Sequence, residues 1–304
     1  MDLIHPQKTI EIIQKYNFTF RKNFGQNFLI DSHVLDKIIA ASELTPEDVV
    51  LEIGPGIGTM TQQLSRHAGK VIAVEIDRDL IPILEETLAD CKNVQLINAD
   101  IMKLDLKELI AREAGGRPVK VTANLPYYIT TPIIMELFES GAPIDLVTVM
   151  VQKEVAERMQ AGPGTKDYGA LSLAVQYYAS PYIAAYVPQN CFIPRPTVGS
   201  AVITLKRYKE PPVAVQDPKQ MFRLIRAAFG QRRKTLGNCI SHAEDLNYTK
   251  AQTEEALKAM GLPAGIRGEA LTLEQFARLS DLLQNGADGD GTPDGEEKGS
   301  QRNG

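Results

Sequence analysis

The sequence has no tryptophan, three cysteines and four scattered histidines among its 304 residues. The cysteines, Cys91, Cys191 and Cys239, are odd in number and far apart, so we expect neither a disulfide framework nor a bound metal. No apolar run reaches the roughly 18 residues of a membrane helix, and the N-terminus lacks a signal-peptide pattern. We therefore expect a cytoplasmic protein that does not bind membranes and, without an exposed apolar stripe, a monomer.

The excess of acidic over basic residues, 38 against 33, is distributed unevenly along the chain. Residues 285–304 hold five acids and two bases, with much glycine and few apolar side chains, so we predict a disordered tail. Residues 206–236 instead hold nine bases and two acids. This segment is a candidate surface for an anionic partner, although a solvated helix face has the same composition.

Short apolar runs alternate along the chain with segments whose apolar residues have helical spacing. This order predicts an α/β fold with a parallel sheet. The runs lie at residues 49–53, 71–74, 94–97, 121–124 and 146–151, and a further strand is predicted at 200–205. Beyond a proline-containing stretch near 207–217, the spacing predicts helices only. The predicted domains are therefore residues 1–208, an all-helical domain at 209–284 and the tail at 285–304.

A glycine-rich turn, Gly54-Pro55-Gly56-Ile57-Gly58, follows the first of these strands and precedes a predicted helix. Glycines let a backbone approach a ligand closely, and a helix N-terminus offers free N–H groups. The spacing is not the G-x-G-x-x-G of dinucleotide-binding loops, and Pro55 removes an N–H group that a pyrophosphate would use. A NAD-linked oxidoreductase is therefore disfavoured.

Polar residues also end the next two strands. Glu75 lies about 20 residues after the first glycine, the position of a carboxylate that binds a ribose diol. Asp100 could accept a hydrogen bond from an adenine amino group, with Ile76 and Ile101 on the two faces of the ring. Together these residues predict a site for a nucleoside cofactor.

Four successive strands thus end in ligand-type residues: Gly54, Glu75, Asp100 and Asn124. Open parallel sheets bind ligands at the carboxyl ends of their strands. A single acid in such a position can equally be a helix cap, which is the role we assign to Asp77 and Asp105. Four ligand-type residues at one edge of a sheet favour the cofactor site.

The fourth strand runs into Asn124-Leu125-Pro126-Tyr127, which we predict to be the catalytic turn. Pro126 forces a sharp turn, so an amide, a free carbonyl and an aromatic ring come together. The Asn124 side chain and the Leu125 carbonyl could each accept a hydrogen bond from an exocyclic amine, while Tyr127 stacks on the base. Two such acceptors would orient the amine and expose its lone pair. The alternative is a proline turn after a buried strand.

A second aromatic residue, Phe192, lies in the proline-stiffened segment at residues 187–196. We predict that it is exposed and stacks on the free face of the base, opposite Tyr127; the alternative is a core residue beneath the loop. A basic helix is predicted to begin at Asp217 and Pro218. Basic residues of these two segments are candidates for phosphate contacts: Arg195, Lys219, Arg223, Arg226, Arg232, Arg233 and Lys234.

Five segments in this order resemble the ribosomal RNA adenine dimethyltransferase family. They are residues 24–31 (FGQNFLID), 52–58 (EIGPGIG), 124–127 (NLPY), 192–200 (FIPRPTVGS) and 229–236 (FGQRRKTL). The resemblance covers roughly residues 5–283. It implies a Rossmann-like class I methyltransferase fold with a small C-terminal helical domain, and S-adenosylmethionine as the methyl donor.

By the family's pattern, the residues that contact the cofactor are Asn27, Leu29, Gly54, Glu75, Asp100 and Asn124. The resemblance also implies a substrate, 16S rRNA in a 30S assembly intermediate. Four methyl groups are expected to go to N6 of two adjacent adenosines in the loop of its 3′-terminal hairpin.

Two other functions remain open at this point. The basic segment would also suit a ribosome-assembly factor that acts by binding alone. A branch of the same family methylates 23S rRNA and confers macrolide resistance, although the segments at 192–196 and 229–236 are more similar to the housekeeping branch.

Overall fold

Seven of the described strands form one sheet in the computed structural model, which describes residues 3–4, 6–21 and 24–288. The strands are β1 (Phe28–Leu29), β2 (Val49–Ile53), β3 (Lys70–Glu75), β4 (Val94–Asn98), β5 (Val119–Asn124), β6 (Ile144–Gln152), β7 (Ala179–Val187), β8 (Phe192–Ile193) and β9 (Ser200–Arg207). The sheet order is β4-β3-β2-β5-β6-β9-β7. Its first five members are parallel, whereas β9 pairs antiparallel with β6, and β7 pairs antiparallel with β9.

The order of the parallel strands places a binding crevice between β2 and β5. The chain runs from β2 outward through β3 to β4, and then returns to the other side of β2 with β5 and β6. Connections leave β2 and β5 in opposite directions, so a crevice opens at their carboxyl ends, where open α/β sheets bind ligands. Gly54 and Asn124 lie at these two ends.

Helices cover both faces of the sheet. The helices of the described chain are α1 (Pro6–Lys15), α2 (Ser32–Ala41), α3 (Thr59–His67), α4 (Ile81–Thr87), α5 (Leu106–Ala114), α6 (Thr130–Glu139), α7 (Lys153–Gln160), α8 (Ala170–Tyr178), α9 (Pro218–Gly230), α10 (Leu236–Ser241), α11 (Lys250–Ala259) and α12 (Leu273–Asp288). Leu51 and Ile53 pack with α5, α6 and α8 on one face, and Val50 packs with α2 and α3 on the other. Burial on both faces explains why β2 is apolar along most of its length.

The α/β fold and the six strands predicted from apolar runs are all present. Strand β7 was not predicted, and it lies at the edge of the sheet with Tyr182 and Tyr186 exposed. The predicted caps Asp105 and Asp217 are also present, since their side chains accept hydrogen bonds from the first N–H groups of α5 and α9. Local sequence chemistry therefore sets where these helices begin.

The chain divides into two compact units: Met1–Gly162 with Asp167–Pro212, and Pro163–Lys166 with the chain from Val213 onward. The second unit contains α9 to α12, packed around buried Met221, Leu224 and Phe276. Helix α12 continues to Asp288, four residues beyond the predicted end of the helical domain at 284. The rest of the predicted tail, 289–304, lies outside the described residues. None of the described helices is long and apolar enough to cross a bilayer.

Candidate active site

An open cavity with about 620 Å³ of empty space lies where β2, β3 and β5 end. The predicted site residues in its wall are Asn27, Gly54, Glu75, Ile76, Asn124, Leu125, Pro126 and Tyr127. The glycine turn and the Asn-Leu-Pro-Tyr turn, which are 70 residues apart in the sequence, therefore face one space.

The Asn124 side chain is half-buried, and a backbone contact fixes its orientation. Its Nδ2 donates a hydrogen bond of 2.9 Å to the carbonyl oxygen of Asn27. Its Oδ1 accepts no hydrogen bond from the described residues. Because the donor end of the amide is held by the protein, the acceptor end is available to a ligand in the cavity. The side chain is therefore set up to accept a hydrogen bond from an amine.

The turn after Asn124 is fixed on both sides. The N–H group of Leu125 donates to the carbonyl of Met150 on β6 at 3.1 Å. The Pro126 carbonyl accepts from the N–H group of Ile129 at 3.2 Å and from Oγ1 of Thr130 at 3.0 Å. Within the described chain, the Leu125 carbonyl between them accepts no hydrogen bond. The Leu125 carbonyl is therefore available as an acceptor, and its role beside Asn124 Oδ1 stays a prediction.

The ring of Tyr127 is tethered by its hydroxyl. The phenol oxygen lies 2.8 Å from Oγ of Ser200, the first residue of β9. Burial raises the pKa of Tyr127, and the hydrogen bond to Ser200 acts in the opposite direction. The phenol group is therefore neutral at physiological pH. Its hydrogen bond holds the ring at the hydroxyl end, and the ring forms part of the cavity wall.

At the glycine turn, backbone atoms without side chains face the cavity. Gly54 and Gly56 have φ of +69° and +63°, in the left-handed region that favours glycine. A Cβ atom built on Gly54 meets no atom within 4 Å, whereas one on Gly56 would lie 3.1 Å from the ring of Phe28. Gly54 thus leaves space for a ligand, and Gly56 leaves space for an aromatic residue of the cavity wall.

Glu75 is a buried carboxyl group at the end of β3. Its two oxygens accept hydrogen bonds from the N–H groups of Asp77 at 2.8 Å and Gly56 at 3.3 Å. Burial raises the pKa of Glu75 to about 7, although these two hydrogen bonds favour the ionised form. A carboxylate oriented by the glycine turn itself is suited to accept hydrogen bonds from two ribose hydroxyls.

Three residues predicted to contact the adenine of the cofactor have different positions. Ile76 lies in the cavity wall with an exposed side chain, as a ring contact requires. Ile101 is buried in the core beside the sheet. Asp100 caps a short turn, since its Oδ1 accepts a hydrogen bond of 3.0 Å from the N–H group of Met102. Asp100 and Ile101 lie outside the wall of the cavity, and their contact with adenine stays a prediction.

The prediction that Phe192 is exposed is wrong, because its side chain is only 2% exposed. β8 pairs with β1, and this pairing sets Phe192 opposite Leu29. Both side chains enter the core between the sheet and α2. Phe192 is therefore the core residue that the alternative described, and Leu29 lies behind the cavity wall rather than in it.

The sequence analysis did not identify the interactions that hold the segment at residues 24–28 against the cavity. The buried Asp77 side chain accepts hydrogen bonds from Arg21 at 3.3 Å and from Nε2 of Gln26 at 2.7 Å. Oε1 of Gln26 in turn accepts from the N–H group of Arg21 at 2.8 Å. Asp77 follows Glu75 by two residues. One loop therefore contains the predicted ribose-binding carboxyl group and also contacts this segment.

The basic residues assigned to RNA differ in their availability. Those exposed to solvent are Arg195, Lys219, Arg226, Arg232, Arg233 and Lys234. Arg226 lies 4.0 Å from Asp245, and Arg232 lies 3.3 Å from Glu269. Arg223 is partly covered, with its Nε buried, and is less available for a phosphate than the sequence predicts. In the described chain, no group of three His, Cys, Asp or Glu side chains is arranged to hold a metal.

The chain is similar to known proteins in both sequence and fold. Residues 17–285 match the family described as ribosomal RNA adenine dimethylase. A protein of Lachnoclostridium phytofermentans, named ribosomal RNA small subunit methyltransferase A, is 61% identical over 279 residues, which are 91% of this chain and 96% of that protein. A protein of the same name from Clostridioides difficile is 50% identical and covers 90% and 94% of the two chains.

Two crystal structures are similar over most of the chain. A dimethyladenosine transferase from Plasmodium falciparum has a TM-score of 0.69 at 26% identity and covers 86% of this chain and 98% of its own. The 23S rRNA methyltransferase ErmE has a TM-score of 0.64 at 27% identity, with coverages of 85% and 100%. The similarity in each case includes the α/β sheet and the helical region that follows it.

Proposed function

The chain belongs to the ribosomal RNA adenine dimethylase family, and from this premise we propose that it transfers methyl groups from S-adenosylmethionine to N6 of two adjacent adenosines of 16S rRNA. A protein named ribosomal RNA small subunit methyltransferase A is 61% identical to it, whereas the 23S rRNA methyltransferase ErmE is 27% identical. The small subunit is therefore favoured over the large one. The two adenosines are those in the loop of the 3′-terminal hairpin.

The cavity fits the proposed cofactor. Glu75 is a buried acceptor placed for a ribose diol, and Gly54 provides the space that a side chain would fill. Asn27 contributes to the wall beside them, and Ile76 offers an exposed apolar surface for the adenine ring. When bound, S-adenosylmethionine supplies an electrophilic methyl group on a sulfonium sulfur.

The orientation of the Asn124 amide is the observation that carries the proposal. With Nδ2 bound to the Asn27 carbonyl, Oδ1 accepts one hydrogen bond from the adenine amine, and the Leu125 carbonyl accepts the other. The lone pair of that nitrogen is ordinarily delocalised into the purine. Two acceptors that hold both N–H groups favour a tetrahedral nitrogen, whose lone pair is directed away from them.

The same arrangement accounts for a second transfer to each base. After one transfer the nitrogen keeps a single N–H group, which needs only one of the two acceptors. Tyr127, tethered to Ser200, provides a ring face on which the base stacks in both steps. The Asn124 turn thus supports monomethylated as well as unmodified adenosine as a substrate, giving four transfers over two adenosines.

The exposed basic residues of the second unit support contact with RNA phosphates, among them Lys219, Arg233 and Lys234. We infer that the enzyme acts as a monomer in the cytoplasm on a 30S assembly intermediate. The same surface supports a second function in subunit assembly through binding alone. The two functions are compatible, because binding requires the basic surface and methylation requires the cavity.

The test measures transfer of radiolabelled methyl groups from the cofactor to 30S and to 50S particles. We expect label in adenosine of unmethylated 30S particles only. Asn124→Ala should reduce the rate by about 100-fold or more, since one of two electrostatic contacts to the reacting amine is lost. Full activity of Asn124→Ala, or preferential labelling of 50S particles, would contradict the proposal.

Further measurements separate methylation from the assembly function, and a loss of catalysis from a loss of cofactor binding. Asn124→Asp keeps the side-chain shape but loses the donor to the Asn27 carbonyl, so it should also be impaired. Binding of S-adenosylhomocysteine should be at most partly weakened in both variants. If Asn124→Ala still binds immature 30S particles, the assembly function is independent of catalysis; if it does not bind them, only the enzyme activity remains.

A further inference from the structure

Tyr128 is an exposed aromatic residue at the cavity. Its side chain is 60% exposed, although it directly follows the half-buried Tyr127 in the chain. Both residues belong to the cavity wall. The Tyr128 hydroxyl forms no hydrogen bond with the described residues, in contrast to that of Tyr127. A large apolar ring is thus presented to solvent beside the position proposed for the target base.

The protein supports this ring along one edge. A Cβ atom built on Gly25 would lie 3.6 Å from both Cδ1 and Cε1 of Tyr128, so a space that one methyl group would fill separates the Gly25 backbone from the ring. Gly25 has a φ of +58°, and the same Cβ would lie 3.3 Å from Cβ of Pro126. One edge of the Tyr128 ring therefore lies close to the backbone of Gly25. An aromatic ring held in place loses little conformational freedom when a flat ligand stacks on it.

We propose that Tyr128 is a stacking platform for the nucleotide adjacent to the adenosine that is bound at Asn124. This inference rests on the proposed function and assigns a second base subsite to the same site. Neighbouring bases in a single strand stack on each other, and drawing one of them into a cavity removes that contact. An exposed ring at the cavity replaces it for the base left outside.

The other strongly exposed aromatic residues differ from Tyr128. Tyr186 is 54% exposed, but Lys153 lies 5.3 Å from its ring centre and its hydroxyl contacts Glu157 at 3.4 Å. Tyr182 is 62% exposed and lies on the edge strand β7, outside the cavity wall. Tyr182 therefore serves as a control with the same residue type and the same exposure.

The platform is tested by steady-state methylation of unmethylated 30S particles. Tyr128→Ala should raise the KM for particles by about tenfold, the effect expected from the loss of one base–aromatic stack. Tyr128→Phe keeps the ring and should stay within about twofold of the unaltered protein, and Tyr128→Leu should resemble alanine. Tyr182→Ala should leave KM unchanged. The affinity for S-adenosylhomocysteine and the melting temperature should be the same in all variants.

A second experiment identifies the base that contacts the platform. Particles are reconstituted with 16S rRNA in which one of the two adjacent adenosines is replaced by uridine, a weaker stacking partner. Methylation of the remaining adenosine should then lose efficiency with the unaltered protein but not with Tyr128→Ala. Equal losses in both proteins would overturn the proposal.

The failure of this inference is distinguishable from failure of the proposed function. If the unaltered protein does not methylate 30S particles, the proposed function itself is wrong. If it does so and Tyr128→Ala and Tyr128→Leu both keep its KM, only the platform is overturned.

Discussion

The hydroxyl of Tyr127 and the hydroxyl of Ser200 lie 2.8 Å apart, although 73 residues separate them in the sequence. Ser200 is buried at the start of β9, opposite Gln152 at the end of β6. β6 also provides the carbonyl that binds the N–H group of Leu125. The antiparallel part of the sheet therefore positions both the backbone of the Asn-Leu-Pro-Tyr turn and the ring of Tyr127.

Ser200→Ala should lower kcat because the Tyr127 ring is no longer held at its far end. A net contribution of about 0.5–1.5 kcal/mol for such a hydrogen bond corresponds to a loss of roughly two- to tenfold. Ser200→Thr keeps a hydroxyl and should restore part of the rate. The measurement is kcat and KM for 30S particles, with the affinity for S-adenosylhomocysteine as the control.

A double-mutant cycle identifies the contact that is responsible. Tyr127→Phe removes the same hydrogen bond from the other side, so Ser200→Ala should have little further effect in that background. Independent losses that multiply in the double variant would show that Ser200 acts through some other contact.

The glycines can be compared at nearly constant backbone strain. Gly54, Gly56 and Gly115 have φ of +69°, +63° and +63°, so alanine should cost each about 1–2 kcal/mol of stability. Gly115 ends α5 with open space around it, and Gly115→Ala should leave cofactor affinity unchanged. Gly54→Ala should weaken binding of S-adenosylhomocysteine strongly because its methyl group enters the cavity.

Gly56→Ala should be the least stable of the three, since its methyl group also displaces the ring of Phe28. Urea unfolding gives the stabilities, and calorimetric titration gives the affinities. Equal affinities for Gly54→Ala and Gly115→Ala would show that the cofactor does not approach the first glycine.

The parallel strands and their ends were predictable because the residues within and just after each strand indicate it. β2 and β3 are buried on both faces and consist mostly of apolar residues, and Gly54 and Glu75 mark where they stop. β7 gives no such signal. A register shift between Ile183 and Ala185 breaks its alternation, and its tyrosines are exposed.

The errors in the site come from contacts between distant segments. Phe192 is buried because β8 pairs with β1, more than 160 residues earlier in the chain. The link from Arg21 and Gln26 to Asp77 likewise joins segments more than 50 residues apart. In both cases the local sequence, a basic loop or an aromatic residue between prolines, indicates exposure, and only the fold brings the partner into place.

The affinity for the cofactor should depend on pH through Glu75. Burial raises the pKa of this carboxyl group to about 7, and the ionised form is the one that accepts hydrogen bonds from two ribose hydroxyls. Affinity should therefore rise as the pH increases through 7 and fall by about tenfold for each unit below it. Calorimetric titration with S-adenosylhomocysteine between about pH 5.5 and 8.5 measures the effect.

Glu75→Gln provides the reference for that titration. It should bind weakly at every pH, and any dependence that it retains belongs to the ligand or to other groups. Parallel curves for the unaltered protein and Glu75→Gln would show that Glu75 does not titrate in the binding reaction.

The segment at residues 24–28 should hold the cofactor only while its link to Asp77 is intact. Arg21 is half-exposed, so its ion pair with the buried Asp77 is worth at most about 1 kcal/mol, and Arg21→Ala should raise the dissociation constant of S-adenosylhomocysteine by up to about fivefold. This effect should disappear at high salt, which screens the pair in the unaltered protein as well.

Gln26→Ala should raise the dissociation constant of S-adenosylhomocysteine more than Arg21→Ala does, and high salt should not remove this effect. Its Nε2 donates to the buried carboxylate of Asp77 at 2.7 Å, and loss of a hydrogen bond to a charged group costs about 1.5–3 kcal/mol. Lys8→Ala, which breaks an exposed ion pair with Glu11 on α1, is the matched control and should leave the affinity unchanged. If Gln26→Ala binds the ligand as well as Lys8→Ala does, the segment lines the cavity without contributing to affinity, and the contacts of Gly54 and Glu75 must account for cofactor binding alone.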